Sequence, residues 1–132
     1  MAISKVAGIE ARGFILGGAV AVELNSGFVA IRKPGGLFPG EKLERDTPVG
    51  DRNDQVQLRL QRESLGQDDR VLVVDDWFET GSQALAAKSL IEAGGADFVG
   101  ASVIVDQLDT GVRSRLAQFH ALIKRDALGE DT

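Results

Sequence analysis

The run Val71-Leu72-Val73-Val74 is followed at once by Asp75 and Asp76, and then by Trp77-Phe78-Glu79-Thr80-Gly81-Ser82-Gln83. Four aliphatic residues, two acids and a Thr-Gly-Ser turn entering a helical pattern have a definite chemical use. A helix N-terminus offers unpaired N–H groups and the positive end of the helix dipole, and both attract phosphate. Thr80, Ser82 and Gln83 add side-chain donors, and Gly81 lets the backbone approach a ligand closely. Asp75 and Asp76 would repel a phosphate but accept hydrogen bonds from a pair of hydroxyls. A ligand with a phosphate at one end and a diol in its middle, such as ribose 5-phosphate, meets both demands. Asp-Asp alone would more often be a strand end before a capped helix; the whole run carries the reading. The turn lacks the Gly-Lys-Ser/Thr ending of a Walker A loop.

Two other strand-like runs end in residues that suit an anionic ligand. Val6-Ala7-Gly8-Ile9 leads into Glu10-Ala11-Arg12-Gly13, and Phe28-Val29-Ala30-Ile31 leads into Arg32-Lys33-Pro34-Gly35. Taken singly, Arg12 and Arg32-Lys33 read as solvated strand ends. In open parallel sheets, however, ligands bind outside the carboxyl ends of the strands. Three such ends carrying three acids and three cations define a candidate pocket. His120 reads as a partly buried structural histidine rather than a base, and Trp77 as a residue packed at the sheet edge.

These residues must be held by a compatible scaffold. The chain has 132 residues, which suits one domain spanning 1–132, and 43% of them are hydrophobic, enough for a core. With one Trp and no Tyr, that core must be mostly aliphatic. A formal net charge of -5 argues against a nucleic-acid binder. The absence of Cys excludes thiolate chemistry, and a single His makes a histidine-based zinc site implausible. No apolar run is long enough to span a membrane and no signal peptide opens the sequence, so the expected setting is cytoplasmic, without membrane partners.

The apolar pattern predicts strands over 6–9, 28–31, 56–60, 71–74, 98–105 and 121–123. It predicts helices over 14–24 and 82–93, with a short one around 112–118. Residues 37–55, with two prolines, two glycines and many charges, read as a long mobile loop with room for part of a hairpin. The order β-α-β-loop-β-β-α-β-(α)-β implies an α/β fold, with a mostly parallel central sheet and flanking helices.

The segment from Val71 to Gln83 resembles the PRPP-binding signature of the type I phosphoribosyltransferases, and within them it is most similar to the adenine-specific branch. The segments Val6-Ala7-Gly8-Ile9-Glu10-Ala11-Arg12-Gly13-Phe14 and Phe28-Val29-Ala30-Ile31-Arg32-Lys33-Pro34-Gly35 match the same pattern in order and spacing. The resemblance implies a Mg²⁺-dependent transfer of ribose 5-phosphate from PRPP to an adenine-like purine base, with release of pyrophosphate. It implies that Asp75 and Asp76 hold the ribose hydroxyls and act as outer ligands of Mg²⁺. By the same resemblance, Glu79, Thr80, Gly81, Ser82 and Gln83 cradle the 5-phosphate. Arg12 binds pyrophosphate in a loop shaped by Glu10, Ala11 and Gly13, and Arg32 and Lys33 contact the pyrophosphate or the base side. It further implies a homodimer, and closure of the 37–55 loop over the site.

The sequence departs from that pattern in four places. The N-terminal segment that forms a hood over the base is expected to be reduced or missing. Gly36 stands where the family has a basic residue. The loop has no Tyr, leaving Glu41 or Glu44 as candidate proton-handling residues for the base. Glu79 and Gln83 occupy unusual places in the phosphate loop. These departures leave two alternatives open: a non-catalytic PRPP- or nucleotide-binding regulatory module of the same fold, and another transferase or hydrolase of phosphorylated ribose.

Overall fold

The computed structural model describes residues 2–35, 40–47 and 56–124. In chain order the elements are β1 (Lys5–Ile9), α1 (Arg12–Glu23), β2 (Gly27–Arg32), β3 (Lys42–Asp46), β4 (Gln57–Gln61) and a 3-10 turn at Arg62–Ser64. There follow β5 (Arg70–Phe78), α2 (Ser82–Ala93), β6 (Asp97–Asp106), α3 (Thr110–Ser114) and β7 (Gln118–Lys124). The strands form one seven-stranded sheet in the order β3-β4-β2-β1-β5-β6-β7. Neighbours from β2 through β7 on the long side pair in parallel, and β4 pairs antiparallel with both β2 and β3. The α/β class with a mostly parallel sheet is therefore the one the apolar pattern implies.

The uniformly apolar run of β5 reflects its place between β1 and β6, with a helix layer on each face. Val71 and Val73 enter the larger core, together with Ile9, Ile31, Leu60, Leu90 and Ile91. Leu72 and Val74 face the opposite way, onto Leu16, Val20 and Ala21 of α1. Helix α1 thus covers one face of the sheet and α2 the other. A Cβ on Gly8 of β1 would collide with the carbonyl of Gly13, so the bare backbone of β1 is what lets the first turn of α1 drop onto the sheet.

The chain reverses its direction of growth at β1. From β1 it proceeds through α1 to β2 on one side, whereas β5 lies on the other side and continues outward through α2 to β6. The crevice between the carboxyl ends of β1 and β5 is a topological switch point, where open α/β sheets bind ligands.

Several expected boundaries shift. Helix α1 starts at Arg12, two residues before the apolar run, so Arg12 and Gly13 belong to its first turn. Strand β5 continues beyond Val74 to Phe78, because Asp75, Trp77 and Phe78 keep pairing with Val103, Val105 and Asp106. Residues 42–46 form the hairpin part of the expected loop, as a strand in which Leu43 is buried and Glu44 pairs across to Arg59. One apolar side chain among four charged ones left no period to read there. Of the rest of the expected loop, 37–39 and 48–55 lie outside the described residues. Helix α3 is shorter and earlier than 112–118, and β7 is longer than 121–123. His120 is exposed, because it lies on the face of β7 that no helix covers.

Substituting Gly8 and Gly18 separates close approach from helix propensity. Gly8→Ala should lower the unfolding free energy by about 1–3 kcal/mol through overpacking. A Cβ on Gly18 of α1 would meet no neighbour within 4 Å. Gly18→Ala should therefore stabilise by about 0.5–1 kcal/mol. Chemical denaturation of the two variants checks both signs.

Candidate active site

The three expected strand ends converge on one edge of the sheet. Glu10 links the first two. Its backbone N–H donates to the Ile31 carbonyl at 2.9 Å, and its Oε1 accepts from the Lys33 backbone N–H at 3.1 Å. The same oxygen lies 3.5 Å from Arg32 Nε. Glu10 thereby holds the Arg32-Lys33 turn against β1, and the Glu10–Ala11 peptide bond beside it is cis.

Arg12 spans the switch-point crevice. From the first turn of α1 its Nε stands 2.9 Å from Asp76 Oδ2 on β5, while 79% of its side chain remains exposed. Gly13 lies directly behind: a Cβ there would stand 3.3 Å from Asp75 Oδ1. Asp75 itself is 9% exposed. Its Oδ1 accepts the Asp76 backbone N–H at 2.8 Å. Burial pushes the Asp75 carboxyl up to about 7, against the Asp76 N–H and the Arg12 charge, with the neighbouring Asp76 carboxylate adding to the rise.

The turn after β5 has the shape an anion loop needs. Gly81 adopts φ +86° as the N-cap of α2 and has no side chain with which to cap that helix. Thr80 Oγ1 and Ser82 Oγ lie 2.7 Å apart, and the Ser82 N–H donates to Thr80 Oγ1 at 3.3 Å. Gln83 is half-buried, whereas Glu79 and Thr80 are exposed. Two hydroxyls, Gly81 and the first turn of α2 thus sit one loop away from the two acids.

No family model matches the chain. Individual proteins do. Adenine phosphoribosyltransferase of Nitrosospira multiformis is 45% identical over 116 residues, covering 88% of this chain and 65% of that protein. The enzyme of the same name from Dinoroseobacter shibae is 43% identical over 128 residues, covering 94% of this chain and 70% of the relative. The chain belongs to the adenine phosphoribosyltransferase family. Adenine phosphoribosyltransferase from Trypanosoma brucei, solved in complex with AMP, pyrophosphate and ribose-5-phosphate, superposes with a TM-score of 0.82 at 27% identity. That match covers 98% of this chain and 59% of the other. The chain spans just under two thirds of the length of the first of these relatives.

Set against this family's chemistry, the structure brings together Asp75, Asp76, Arg12, Gly13, Arg32, Lys33 and the loop 79–83. It leaves Glu41 and Glu44 away from the two acids of β5. Glu41 pairs with Arg62 and Glu44 with Arg59, each at 3.6 Å. Both lie at the β3–β4 hairpin, four strand positions from β5, or roughly 19 Å of sheet. Glu44 is level with Arg32 across the sheet, whereas Glu41 lies farther from the carboxyl edge.

Two neighbours of the site, Gln107 and Asp106, are not apparent from the sequence. Gln107 Oε1 accepts from Trp77 Nε1 at 2.9 Å, so the Trp77 indole is tied to the end of β6. Asp106 is buried and paired with Arg113, Nη2 to Oδ2 being 2.7 Å. An acid ending a long apolar strand was the available signal for Asp106. Among the described residues no group of three or more His, Cys, Asp or Glu side chains could hold a metal, and no helix is long and apolar enough to cross a membrane.

The elevated Asp75 carboxyl sets the pH dependence of stability. Between its ordinary value of 3.8 and about 7, the folded state keeps a proton that the unfolded chain has released. Stability contributed by this group is therefore full below pH 4 and lost as pH rises through 7. In metal-free buffer Asp75→Asn should be more stable than wild type by roughly 2–4 kcal/mol at pH 8. That advantage should vanish towards pH 4 in paired denaturation curves.

Proposed function

We propose that this protein is a cytoplasmic, Mg²⁺-dependent adenine phosphoribosyltransferase acting as a single domain. It would join a purine base to the ribose 5-phosphate of PRPP and release pyrophosphate. The observation that carries the proposal is the contact between Arg12 and Asp76 across the switch point, one loop away from the uncapped N-terminus of α2. A pyrophosphate-binding cation, a diol-binding acid pair and a phosphate-binding turn occur there in the order of the groups along PRPP. The ligands carried by the Trypanosoma brucei enzyme are the parts of that substrate and product set.

In this reading Asp75 and Asp76 accept hydrogen bonds from the ribose hydroxyls. The loop from Glu79 to Gln83 receives the 5-phosphate on its N–H groups and on the hydroxyls of Thr80 and Ser82. Arg12 is exposed enough to turn its terminal nitrogens to the pyrophosphate, while Arg32 and Lys33 approach from β2. As the bond from C1 to pyrophosphate breaks, positive charge develops on the ribose. The carboxylates favour that charge and the cations favour the departing pyrophosphate. Positioning and fixed charge therefore provide most of the rate.

The donor set fits magnesium in one manner. Two adjacent carboxylates cannot complete a coordination sphere, but Mg²⁺ keeps much of its water and takes few protein ligands. Asp75 and Asp76 would hold it from the outer sphere, where it would neutralise pyrophosphate charge. A homodimer completes the proposal. Ile15 and Val22 on the outer side of α1 are 77% and 83% exposed, an apolar helix face that a second copy would cover.

Incubation with Mg²⁺, PRPP and adenine should yield AMP and pyrophosphate in equal amounts. Asp76→Asn should weaken PRPP binding by roughly 10–100-fold, the worth of a hydrogen bond to a charged group, without unfolding the protein. Unchanged affinity would remove Asp76 from the site. PRPP binding without release of pyrophosphate in the presence of any base would favour a regulatory binding module instead.

Arg12→Ala should weaken pyrophosphate binding while ribose 5-phosphate affinity stays within about twofold, since a rim cation acts on the group it touches. Equal losses for the two ligands, measured by calorimetry, would contradict the assignment of Arg12.

A further inference from the structure

We propose that Asp106 and Arg113 are positioning residues that set the shape of the phosphate loop 79–83 through the segment between them. The inference rests on the functional reading above and concerns residues that reading leaves without a role. Asp106, at the end of β6, is 3% exposed. Its Oδ1 accepts the Leu108 N–H at 2.8 Å, and its Oδ2 accepts Arg113 Nη2 at 2.7 Å and Nε at 3.0 Å. Arg113 Nη2 also donates to the Leu108 carbonyl at 2.9 Å. One buried carboxylate and one guanidinium therefore close residues 106–113 into a compact unit. Asp109 adds the cap of α3 by accepting the Val112 N–H at 2.8 Å.

That unit grips the phosphate loop at both ends. At the entry, the Gln107 N–H donates to the Phe78 carbonyl at 2.9 Å, and Gln107 Oε1 accepts from Trp77 Nε1 at 2.9 Å. At the exit, Leu108 and Val112 pack where a side chain of residue 81 would project. A Cβ on Gly81 would collide with Val112 and stand 2.9 Å from Leu108 Cδ2. Gly81 holds φ +86°, a conformation most residues resist, and it begins the helix whose N–H groups would meet the phosphate. A partly buried charge pair is weak evidence for stability but well suited to fixing one geometry. Here the geometry fixed is that of the walls around Gly81.

The test uses Asp106→Asn, Arg113→Lys and Val112→Ala in the full chain. Ribose 5-phosphate and pyrophosphate affinities are measured by calorimetry, and hydrogen exchange is followed at 79–83 and at 10–14. Asp106→Asn and Val112→Ala should bind ribose 5-phosphate roughly tenfold or more weakly, the scale of loss from a displaced binding group. Pyrophosphate affinity should stay within about twofold, because Arg12 does not depend on this clamp. Exchange should rise at 79–83 and stay unchanged at 10–14. Arg113→Lys keeps one charged donor and should fall between wild type and Asp106→Asn. Unchanged exchange at 79–83 in Asp106→Asn and Val112→Ala, or equal loss of both ligands, would overturn the proposal. If wild type binds no ribose 5-phosphate, the functional reading fails, and the exchange at 79–83 still decides whether the clamp exists.

Discussion

Burying a carboxylate at the end of a central strand is unfavourable unless neighbours offset it, and much of the site is arranged around that constraint. Asp75 sits against Gly13 with almost no solvent, and the nearest charge is another acid, Asp76. Among the described residues, the Asp76 backbone N–H and the Arg12 guanidinium oppose the desolvation. An unliganded site of this kind is left short of hydrogen-bond donors. Ribose hydroxyls are donors of the right size. The strain on Asp75 is therefore also a source of preference for a diol, because bound hydroxyls supply what the fold withholds.

The sheet topology makes this arrangement possible. Strand β1 is the only neighbour of β5 on the side of Arg12, and its glycine at position 8 admits the first turn of α1 close to the sheet. Without that approach Arg12 would start too far out to reach Asp76. The same helix leaves Ile15 and Val22 facing outward, so the element that positions Arg12 also carries the exposed apolar face. Packing and electrostatics thus meet on α1, and Glu10 ties its entry to the cations of β2.

The elements legible in the sequence were those whose signal is local. Val71 to Val74 announces a buried strand through four consecutive aliphatic residues, and Ser82 to Ala93 matches its helix because Gly81 and Gly94 bound an alanine-rich run. The acids and the Thr-Gly-Ser turn were readable because their chemistry depends on adjacency along the chain. What was illegible depends on pairing at a distance. Lys42 to Asp46 becomes a strand through its register with β4, where Glu44 pairs with Arg59 and, just before it, Glu41 with Arg62, away from the acids at β5. Asp106 and Arg113 stand seven positions apart with no periodic relation, and only the fold shows them closing around Leu108.

Phosphate binding by a helix N-terminus depends on how firmly its N–H groups are aimed. A loop that must be ordered by the ligand spends binding free energy on that ordering, whereas a pre-shaped loop does not. The loop at Gly81 carries little stiffness of its own: its residues are small, polar or exposed, and Thr80 and Ser82 bond chiefly to each other. Its shape must come from outside, and the nearest rigid body is the end of β6 with Leu108 and Val112. The two halves of the proposed substrate are then held by independent means. The pyrophosphate side depends on a solvent-facing cation from α1, exposed enough to turn with the ligand. The 5-phosphate side depends on a backbone fixed by a partly buried ion pair. A transfer reaction in which pyrophosphate leaves while ribose 5-phosphate stays requires that division, with a mobile partner for the group that departs and a fixed one for the group that remains.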